Sequence, residues 1–371
     1  MATKIDAIRA SPTEELLLEE EFDELFDRER HPRTYIGFEI SGQVHLGTGI
    51  LSMSKVKDFL EAGFDCTVFL ADWHSWLNGK LGGDLETIRD VAGGYFKEGL
   101  RIGLRCVGTD STPVRFVMGS EVYDQEYWAT VVKVSKALTV KRVQRMITIM
   151  GRKEGEAVNF AQLVYPPMQI ADIFHLDVNV AHGGMDQRKA HVGAREVAEK
   201  IGKAKPLALH HHLLAGLKGP AGQVPTTNLE QAEIRSELKM SKSKPDSAIF
   251  IHDSQEVIHQ KLDRAYCPPR EIEYNPVIDI AEYVILPILH KITIERSEKH
   301  GGDAEIPNAA ELRSQYSNGN IHPMDLKQAV ANTLTEILGP ARSYFASHPE
   351  LLRIFDQTPD VKEPPANRRP S

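Results

Sequence analysis

Cysteine is scarce in this sequence, and its few copies lie far apart. The 371 residues include three cysteines, Cys66, Cys106 and Cys267, and no Cys-x-x-Cys pair. Secreted disulfide scaffolds are dense in cysteine, and structural zinc sites use closely spaced cysteines. The sequence therefore argues against both classes. We predict no metal site built by the protein, and a protein of the reducing cytoplasm.

Long apolar runs are missing as well. The sequence contains no stretch of consecutive apolar residues long enough for a transmembrane helix, which needs about 18 or more. Residues 1–15 lack the apolar segment and cleavage site of a secretory signal. These two absences predict a protein without a membrane partner.

One stretch of the chain lacks acidic residues. The net charge of −8, from 44 basic and 52 acidic residues, argues weakly against a general nucleic-acid coat protein. Between Tyr127 and Lys153, however, there is no aspartate or glutamate. The basic residues of this stretch are Lys133, Lys136, Lys141, Arg142, Arg145, Arg152 and Lys153. Either this is a phosphate-contacting surface, or it is a solvated helix whose acidic partners lie elsewhere in the fold.

The spacing of apolar residues predicts alternating strands and helices in the first part of the chain. Strands are predicted at residues 35–40, 66–71 and 114–118, with helices at about 50–62 and 85–103. Such alternation favours a parallel sheet with helices on both faces. A further helix is predicted to begin at Ser11-Pro12-Thr13-Glu14, a capping-box sequence. Its apolar face would consist of Leu18, Phe22, Leu25 and Phe26.

Beyond about residue 255 the pattern becomes mostly helical. Helices are predicted at residues 280–289, with a kink at Pro287, and at 323–338 and 341–355. We therefore place a first α/β domain at residues 1–254, with a helical insertion at about 120–160. A smaller helical domain follows at 255–356. Residues 357–371 are rich in proline and charge and are predicted to be a disordered tail.

A glycine-containing motif, His45-Leu46-Gly47-Thr48-Gly49, lies between the first predicted strand and the following helix. Glycine lets the backbone approach a ligand closely, and a helix N-terminus attracts phosphate. His45 can donate a hydrogen bond to a phosphate oxygen. Taken alone, the motif is more often structural than functional.

A second motif, Lys239-Met240-Ser241-Lys242-Ser243, lies in a polar segment about 190 residues later. Two lysines among small hydroxyl residues suit a loop that binds a polyphosphate, because phosphate-transfer chemistry relies on positioned positive charge. Taken alone, this segment is better explained as a solvated basic loop.

Together the two motifs resemble the paired signatures of class I aminoacyl-tRNA synthetases, whose fold is Rossmann-like. KMSKS is intact, whereas Thr48 stands where the family has a second histidine. The resemblance implies catalytic roles for His45, Thr48, Lys239 and Lys242. It implies that ATP, accompanied by Mg²⁺, is bound by His45, Gly47, Asp186, Lys239, Ser241, Lys242 and Ser243.

Further segments are similar to the archaeal and eukaryotic tyrosyl-tRNA synthetases. They are Tyr35–Glu39, Leu70–His74, Tyr165–Asp172, Gly183–Lys189, Ala265–Pro268 and His322–Lys327. The resemblance implies that the first domain is catalytic and that the second binds the anticodon of tRNA(Tyr). It also implies a homodimer. The nearest rival is a tryptophanyl-tRNA synthetase, and a rival of another class is an RNA-binding paralogue without catalysis.

The predicted tyrosine site depends partly on helical spacing. If Tyr165 to Asp172 is helical, Tyr165, Gln169 and Asp172 share one face, and buried polar groups need partners. Without the resemblance, a structural polar network would be the favoured interpretation. The resemblance implies that Tyr165, Gln169 and Gln187 bind the α-amino end. It implies that Tyr35 and Asp172 bind the phenol hydroxyl. Gly37, Glu39 and His74 would complete the pocket.

The predicted tRNA contacts depend on the family resemblance. The resemblance implies that Arg142, Arg145, Arg188, Lys189, His300, His322 and Asp325 contact tRNA. For Asp325 the competing interpretation is a helix N-cap rather than a contact to the first anticodon base. His210-His211-His212 is predicted to lie at the surface or in a loop, because adjacent side chains point in different directions and no acidic or cysteine cluster accompanies them.

Overall fold

The computed structural model of the chain describes residues 4–220, 238–240 and 245–357. Ser241, Lys242 and Ser243 of the second motif lie outside the described residues. So does the predicted tail, apart from its first residue, Gln357, which ends a helix. Within the described ranges, no helix combines the length and hydropathy needed to cross a bilayer.

A six-stranded sheet forms the centre of the first part of the chain. Its strands are β1 Thr13–Leu17, β2 Arg33–Phe38, β3 Asp65–Leu70, β4 Arg115–Met118, β5 Val180–Gly184 and β6 Leu207–His211. The spatial order is β1-β6-β5-β2-β3-β4, and only β1 is antiparallel to its neighbour. The order reverses between β2 and β5. In parallel α/β sheets, ligands bind at the carboxyl ends of the strands beside such a switch point.

Helices flank the sheet and fill the connections between its strands. They are α1 Lys4–Arg9, α2 Glu20–Arg28, α3 Ser52–Glu61, α4 Asp72–Leu77, α5 Leu85–Val91, α6 Lys97–Cys106, α7 Gly119–Val122, α8 Gln125–Ala137, α9 Val140–Met146, α10 Phe160–His175 and α11 Arg188–Ala198. The three predicted strands and the helices between them are confirmed to within a few residues. This is the predicted Rossmann-like parallel α/β fold.

The prediction of a helix beginning at Ser11 is wrong. Thr13–Leu17 is β1, which pairs antiparallel with β6, and the helix starts only at Glu20. Pairing with a strand distant in the sequence outweighs the local capping signal. Leu18 consequently lies outside the helix at a positive φ of 58°, with 40% of its surface exposed, whereas Phe22 is buried as expected.

The first motif lies where β2 is followed by α3. Gly47–Leu51 form a π-helical turn that continues directly into α3. A side chain on Gly103 of α6 would come 2.0 Å from the carbonyl oxygen of Gly49. The two backbones therefore touch, and this contact fixes the start of α3 against α6.

The second part of the chain is mostly helical, as predicted. Its helices are α12 Gln255–Asp263, α13 Pro276–Ile280, α14 Leu286–Leu289, α15 Ala309–Ser317, α16 Pro323–Ile337, α17 Gly339–Ser347 and α18 Glu350–Gln357. A π-helical turn, Ala281–Ile285, joins α13 to α14 just before Pro287. The prediction of a single helix at 341–355 is wrong. The helix is interrupted at Pro349, and two helices, α17 and α18, take its place. Two short strands, β7 Ile292–Ile294 and β8 Ala304–Ile306, were not predicted.

Candidate active site

The predicted tyrosine-site residues come from four places in the fold. Tyr35 and Gly37 lie on β2, His74 on α4, and Gln187 in the turn after β5, next to Asp186 of the predicted ATP site. Tyr165, Gln169 and Asp172 lie on α10, so the predicted helix is confirmed. Gly37 is exposed although it belongs to a central strand, which leaves the sheet uncovered at this point. The topology thus gathers these residues beside the switch point.

Asp172 lies at the closed end of this site and is almost completely buried. The Tyr123 hydroxyl donates a hydrogen bond to Asp172 Oδ1 (2.9 Å), and Asp172 Oδ2 lies 3.5 Å from His74 Nε2. Burial raises the pKa of Asp172 to about 8, although hydrogen bonds from Tyr123 and Tyr127 act in the opposite direction. The carboxyl group therefore titrates near neutral pH.

Two of the side chains that face Asp172, His74 and Tyr35, are themselves uncharged. Burial lowers the pKa of His74 to about 3, so its imidazole is neutral. Burial, followed by the Asp172 charge, raises the pKa of Tyr35 well above its usual value, so this phenol stays protonated. Neutral hydroxyl donors facing a buried carboxyl group are suited to recognising another hydroxyl.

The same face of α10, about one turn before Asp172, carries an amide network. Gln169 Nε2 donates to Gln187 Oε1 (3.0 Å), and Gln187 Nε2 donates to the carbonyl oxygen of Ile149 (3.1 Å). Glu39 accepts a hydrogen bond from Asn78 Nδ2 (2.7 Å) and lies 3.5 Å from Lys80 Nζ. Amide and carboxylate oxygens together suit an ammonium group.

Lys239 of the second motif forms an ion pair with Asp186. Its backbone is fixed by an isolated bridge to Ala215, just after β6. Burial alone would raise the pKa of Asp186, but the Lys239 charge and hydrogen bond lower it below its usual value. The structure thus brings together two residues predicted to bind ATP.

His45 and Thr48 of the first motif contact each other. Gly47 N–H donates to His45 Nδ1 (3.1 Å), and the other ring nitrogen, Nε2, lies 3.3 Å from Thr48 Oγ1. Because Nδ1 accepts, the proton of a neutral ring is on Nε2. Ser52 Oγ donates to the Gly47 carbonyl oxygen (2.9 Å). Thr48 therefore helps to orient the histidine that the sequence assigns to phosphate.

Three of the basic residues predicted to bind tRNA already have acidic partners. Arg188 Nε donates to both carboxylate oxygens of Glu15 (3.0 and 2.8 Å), and Arg142 donates twice to Glu196 (2.9 and 2.8 Å). Lys189 Nζ lies 3.6 Å from Glu154. Arg145 is exposed. Partly exposed ion pairs of this kind contribute little to stability, so a phosphate can replace the carboxylate.

The interpretation of Asp325 as a helix cap is wrong. His322 caps α16, because its Nδ1 accepts a hydrogen bond from Met324 N–H (3.2 Å). Asp325 is the third residue of that helix. His300 ends the short 3-10 turn Glu298–His300.

The prediction for the three adjacent histidines is also wrong. His210, His211 and His212 are buried, at the end of β6 and just after it. His210 pairs with Glu15 (2.7 Å) and His211 with the ring of His182 (2.8 Å). A strand that has neighbours on both edges and helices on both faces buries consecutive side chains. Among the described residues, no group of histidine, cysteine and acidic side chains could hold a metal ion.

Tyr123 and Asn78 contact the predicted site residues but were missed from the sequence. Tyr123 lies just before α8, and Asn78 just after α4. No local motif marks either residue. Their roles depend on the packing of α8 and α4 against α10.

Comparison with known proteins agrees with this arrangement. The family model described as "tRNA synthetases class I (W and Y)" matches residues 27–339. The chain belongs to this family. Tyrosine–tRNA ligases from Thermococcus gammatolerans and Pyrococcus furiosus are each 50% identical over 365 residues, covering 95% of this chain and 97% of each relative.

Solved structures give the same result. Tyrosyl-tRNA synthetase from Pyrococcus horikoshii complexed with L-tyrosine matches with a TM-score of 0.91 and 49% identity, covering 95% of this chain and 98% of that one. The Archaeoglobus fulgidus enzyme, also complexed with L-tyrosine, matches with a TM-score of 0.80 and 38% identity, covering 92% of this chain and 98% of that one. Tryptophanyl-tRNA synthetase from Aeropyrum pernix, at 20% identity and a TM-score of 0.65, shares the fold. The predicted relationship to tyrosyl-tRNA synthetases is confirmed.

Proposed function

We propose that this chain is a tyrosine–tRNA ligase. It activates L-tyrosine with ATP to form tyrosyl-adenylate and pyrophosphate, and then transfers the tyrosyl group to the 3′ end of tRNA(Tyr). The observation that carries the choice of tyrosine is the buried Asp172, which faces the protonated hydroxyl of Tyr35 and the neutral ring of His74. This set can accept a hydrogen bond from a phenol and donate one to it.

The bound amino acid lies along α10, with its side chain and its ammonium group at different turns of the helix. Its phenol lies at Asp172 and Tyr35, and its ammonium lies near Tyr165, Gln169 and Gln187. Glu39 adds negative charge at the ammonium end. The exposed backbone at Gly37 receives the substrate between the two ends. A site built to bind a phenol hydroxyl rejects phenylalanine, because its own buried polar groups would then lack partners.

The nucleotide binds at the other end of the site. When ATP binds, the Nε2–H of His45 turns from Thr48 Oγ1 to the transferring phosphate, and Lys239 and Lys242 supply positive charge as pyrophosphate departs. Thr48 orients His45, and Asp186 lies where the adenosine ribose is expected. Backbone at Gly47 and the side chains of Ser241 and Ser243 complete the phosphate contacts. ATP enters as its Mg²⁺ complex, in which the phosphates are the principal ligands of the ion.

Transfer to tRNA uses surfaces outside this pocket. Residues 1–254 form the catalytic domain and 255–356 the anticodon-binding domain. The proposed tRNA contacts are Arg142, Arg145, Arg188, Lys189, His300, His322 and Asp325. The homodimer and the cytoplasmic location stay predictions.

ATP–pyrophosphate exchange with each of the twenty amino acids tests the proposal. Tyrosine alone should support rapid exchange, and tRNA(Tyr) should then become charged. Exchange with tryptophan instead would favour the other branch of the family. If no amino acid supports exchange, the result would favour an RNA-binding protein without catalytic activity.

A further inference from the structure

Tyr123 occupies a position that the proposed mechanism has not used. We infer that Tyr123 is a positioning residue for amino-acid selection, which holds one oxygen of Asp172 so that the other oxygen faces the substrate phenol. This inference rests on the proposed tyrosine specificity. It adds a residue outside the predicted set, acting through Asp172 rather than on the substrate.

The ring of Tyr123 is packed among other aromatic rings. It stacks on Tyr127, with ring centroids 3.8 Å apart and an angle of 10° between the planes. The ring of Phe69 is also adjacent, with centroids 6.2 Å apart, and the Phe69 centroid in turn lies 6.4 Å from that of Tyr35. The hydroxyl position is therefore set by a row of four rings. From this position it donates to Asp172 Oδ1 at 2.9 Å.

The single proton of the Tyr123 hydroxyl is used by Asp172. His74 Nδ1 also lies near this hydroxyl, at 3.4 Å, and His74 Nε2 lies 3.5 Å from Asp172 Oδ2. That second contact lacks hydrogen-bond geometry, since His74 Nε2 is buried without a hydrogen-bond partner in the described part of the chain. Oδ1 is thus engaged by the protein, whereas Oδ2 is available to a ligand.

The other groups facing Asp172 do not stabilise its charge. His74 from α4 is neutral, and Tyr35 from β2 is a protonated phenol. The carboxylate of Asp72 disfavours a second negative charge nearby, although Arg89 pairs with Asp72 (3.1 Å). Within residues 4–220, 238–240 and 245–357, no lysine or arginine forms an ion pair with Asp172. Ionisation of Asp172 therefore depends on the hydroxyl groups of Tyr123 and Tyr127.

Selection against phenylalanine depends on that ionisation. An ionised oxygen left without a donor in a buried site is costly, whereas a neutral carboxyl group left there costs less. Phenylalanine would leave Oδ2 without a donor. Removing the Tyr123 hydroxyl removes a group that favours the ionised form of Asp172. The pocket should then become neutral over a wider pH range and should accept phenylalanine more readily.

The test compares Tyr123→Phe with Tyr316→Phe and the parent. Tyr316 is a matched control, because it is a buried tyrosine of the second part whose hydroxyl donates to the Pro268 carbonyl oxygen at 2.9 Å. The kcat/KM values for tyrosine and phenylalanine are measured by ATP–pyrophosphate exchange between pH 6 and 9. Taking their ratio cancels the ionisation of the shared α-amino group.

We expect Tyr123→Phe to lower the tyrosine-to-phenylalanine ratio by roughly two- to eightfold at pH 7.5. The midpoint of its rise with pH should move upward by about 0.4–1 unit, as expected for one lost hydrogen bond. Tyr316→Phe should keep the parent's ratio and midpoint. If Tyr123→Phe also keeps both, the inference is overturned, while tyrosine-dependent exchange by the parent still supports the proposed function.

A second measurement separates positioning from loss of packing. In an Asp172→Asn background, adding Tyr123→Phe should leave the ratio unchanged within about twofold, because no carboxylate remains to be held. If Tyr123→Phe lowers the tyrosine-to-phenylalanine ratio equally in the parent and in the Asp172→Asn background, Tyr123 does not act through the carboxylate of Asp172. The increase in Tm caused by saturating tyrosine gives the same comparison without turnover.

Discussion

The two ends of the proposed active site each contain an aspartate, and the protein treats the two in opposite ways. Asp172 at the phenol end faces the neutral groups Tyr35, His74 and Tyr123, has no basic partner in the described part of the chain, and has its pKa raised to about 8 by burial. Asp186 at the nucleotide end pairs with Lys239, which lowers its pKa in spite of burial. Titratable groups whose environments separate their pKa values often have different roles. In the proposed function, the first end recognises a hydroxyl group and the second positions the charged phosphates.

The partners of the two aspartates also differ in origin. The donors to Asp172 come from helices packed firmly against α10, within the aromatic row around Tyr123. Lys239 comes from a segment after β6, held by a backbone bridge to Ala215. The amino-acid end is therefore preformed. In the proposed function, the ATP phosphates replace Asp186 as the partner of Lys239.

Lys239→Ala should have the largest effect of the tests that separate the two ends. We expect adenylate formation to slow by about 10²-fold or more, since removal of one preorganised charge donor typically costs 10²–10³ in kcat. Tyrosine affinity should stay near that of the parent, because Lys239 lies at the nucleotide end. Pre-steady-state adenylate formation and equilibrium binding of tyrosine measure the two quantities.

Lys291→Ala is the control, because it removes a lysine from an exposed ion pair with Glu305 in the second part of the chain. Its rate should equal that of the parent. A loss of tyrosine affinity in Lys239→Ala as large as the loss in rate would mean that the two ends do not act separately.

Asp172→Ala should affect the other end. The lost charge-assisted hydrogen bond is worth about 1.5–3 kcal/mol, so the tyrosine-to-phenylalanine ratio of kcat/KM should fall at least tenfold. The KM for ATP should change little. Exchange assays with both amino acids give the ratio, and Asp177→Ala, at an exposed residue paired with Arg33, serves as the control. An unchanged ratio would place the phenol elsewhere.

A change of pH should affect the amino-acid end of the site and leave the nucleotide end unchanged, so the two ends can be distinguished without a mutation. The kcat/KM value reports ionisation of the free enzyme, in which the pKa of Asp172 is about 8. Asp172 gains its charge as pH rises, so the tyrosine-to-phenylalanine ratio should increase about tenfold between pH 7 and 9. The KM for ATP should stay flat, because Asp186 is ionised throughout this range. Asp172→Asn should remove the dependence, and a ratio that falls with pH would contradict the assignment.

Asp325→Asn is expected to have the smallest effect and extends the comparison to an aspartate outside both ends. Because His322 provides the cap of α16, thermal stability should barely change. Tyrosine-dependent exchange should be normal. Charging of tRNA with guanine at the first anticodon position should weaken several-fold, through loss of a dual hydrogen-bond acceptor. If the variant and the parent charge the guanine-containing tRNA at the same rate, and also charge the base-substituted tRNA at the same rate, Asp325 does not take part in anticodon reading.

The sequence predicted the parts of the fold and site that have local signals. The strand at residues 35–40, the helix that follows the first motif and the face of α10 bearing Tyr165 and Asp172 all have short-range patterns, and the structure contains each of them. Functional roles within this set came from the family resemblance. Spacing alone favoured a structural polar network.

The features that were missed depend on contacts between distant segments. β1 was predicted as the start of a helix because its partner, β6, lies roughly 190 residues later. The three histidines of β6 were assigned to the surface because their acidic partners, such as Glu15, are on β1. Tyr123 joins Asp172 only through helix packing. Such contacts cannot be predicted from patterns that extend over a few residues.

The pairing of β1 with β6 has a consequence for synthesis of the chain on the ribosome. β1 is made at residues 13–17, but its partner emerges only after His211. At roughly 5–20 residues per second, the nascent strand waits on the order of 10–40 s. An unpaired strand is prone to aggregation, and charge on the strand reduces that tendency. Glu14 and Glu15, which later bind His212 and His210, would protect the segment during this interval.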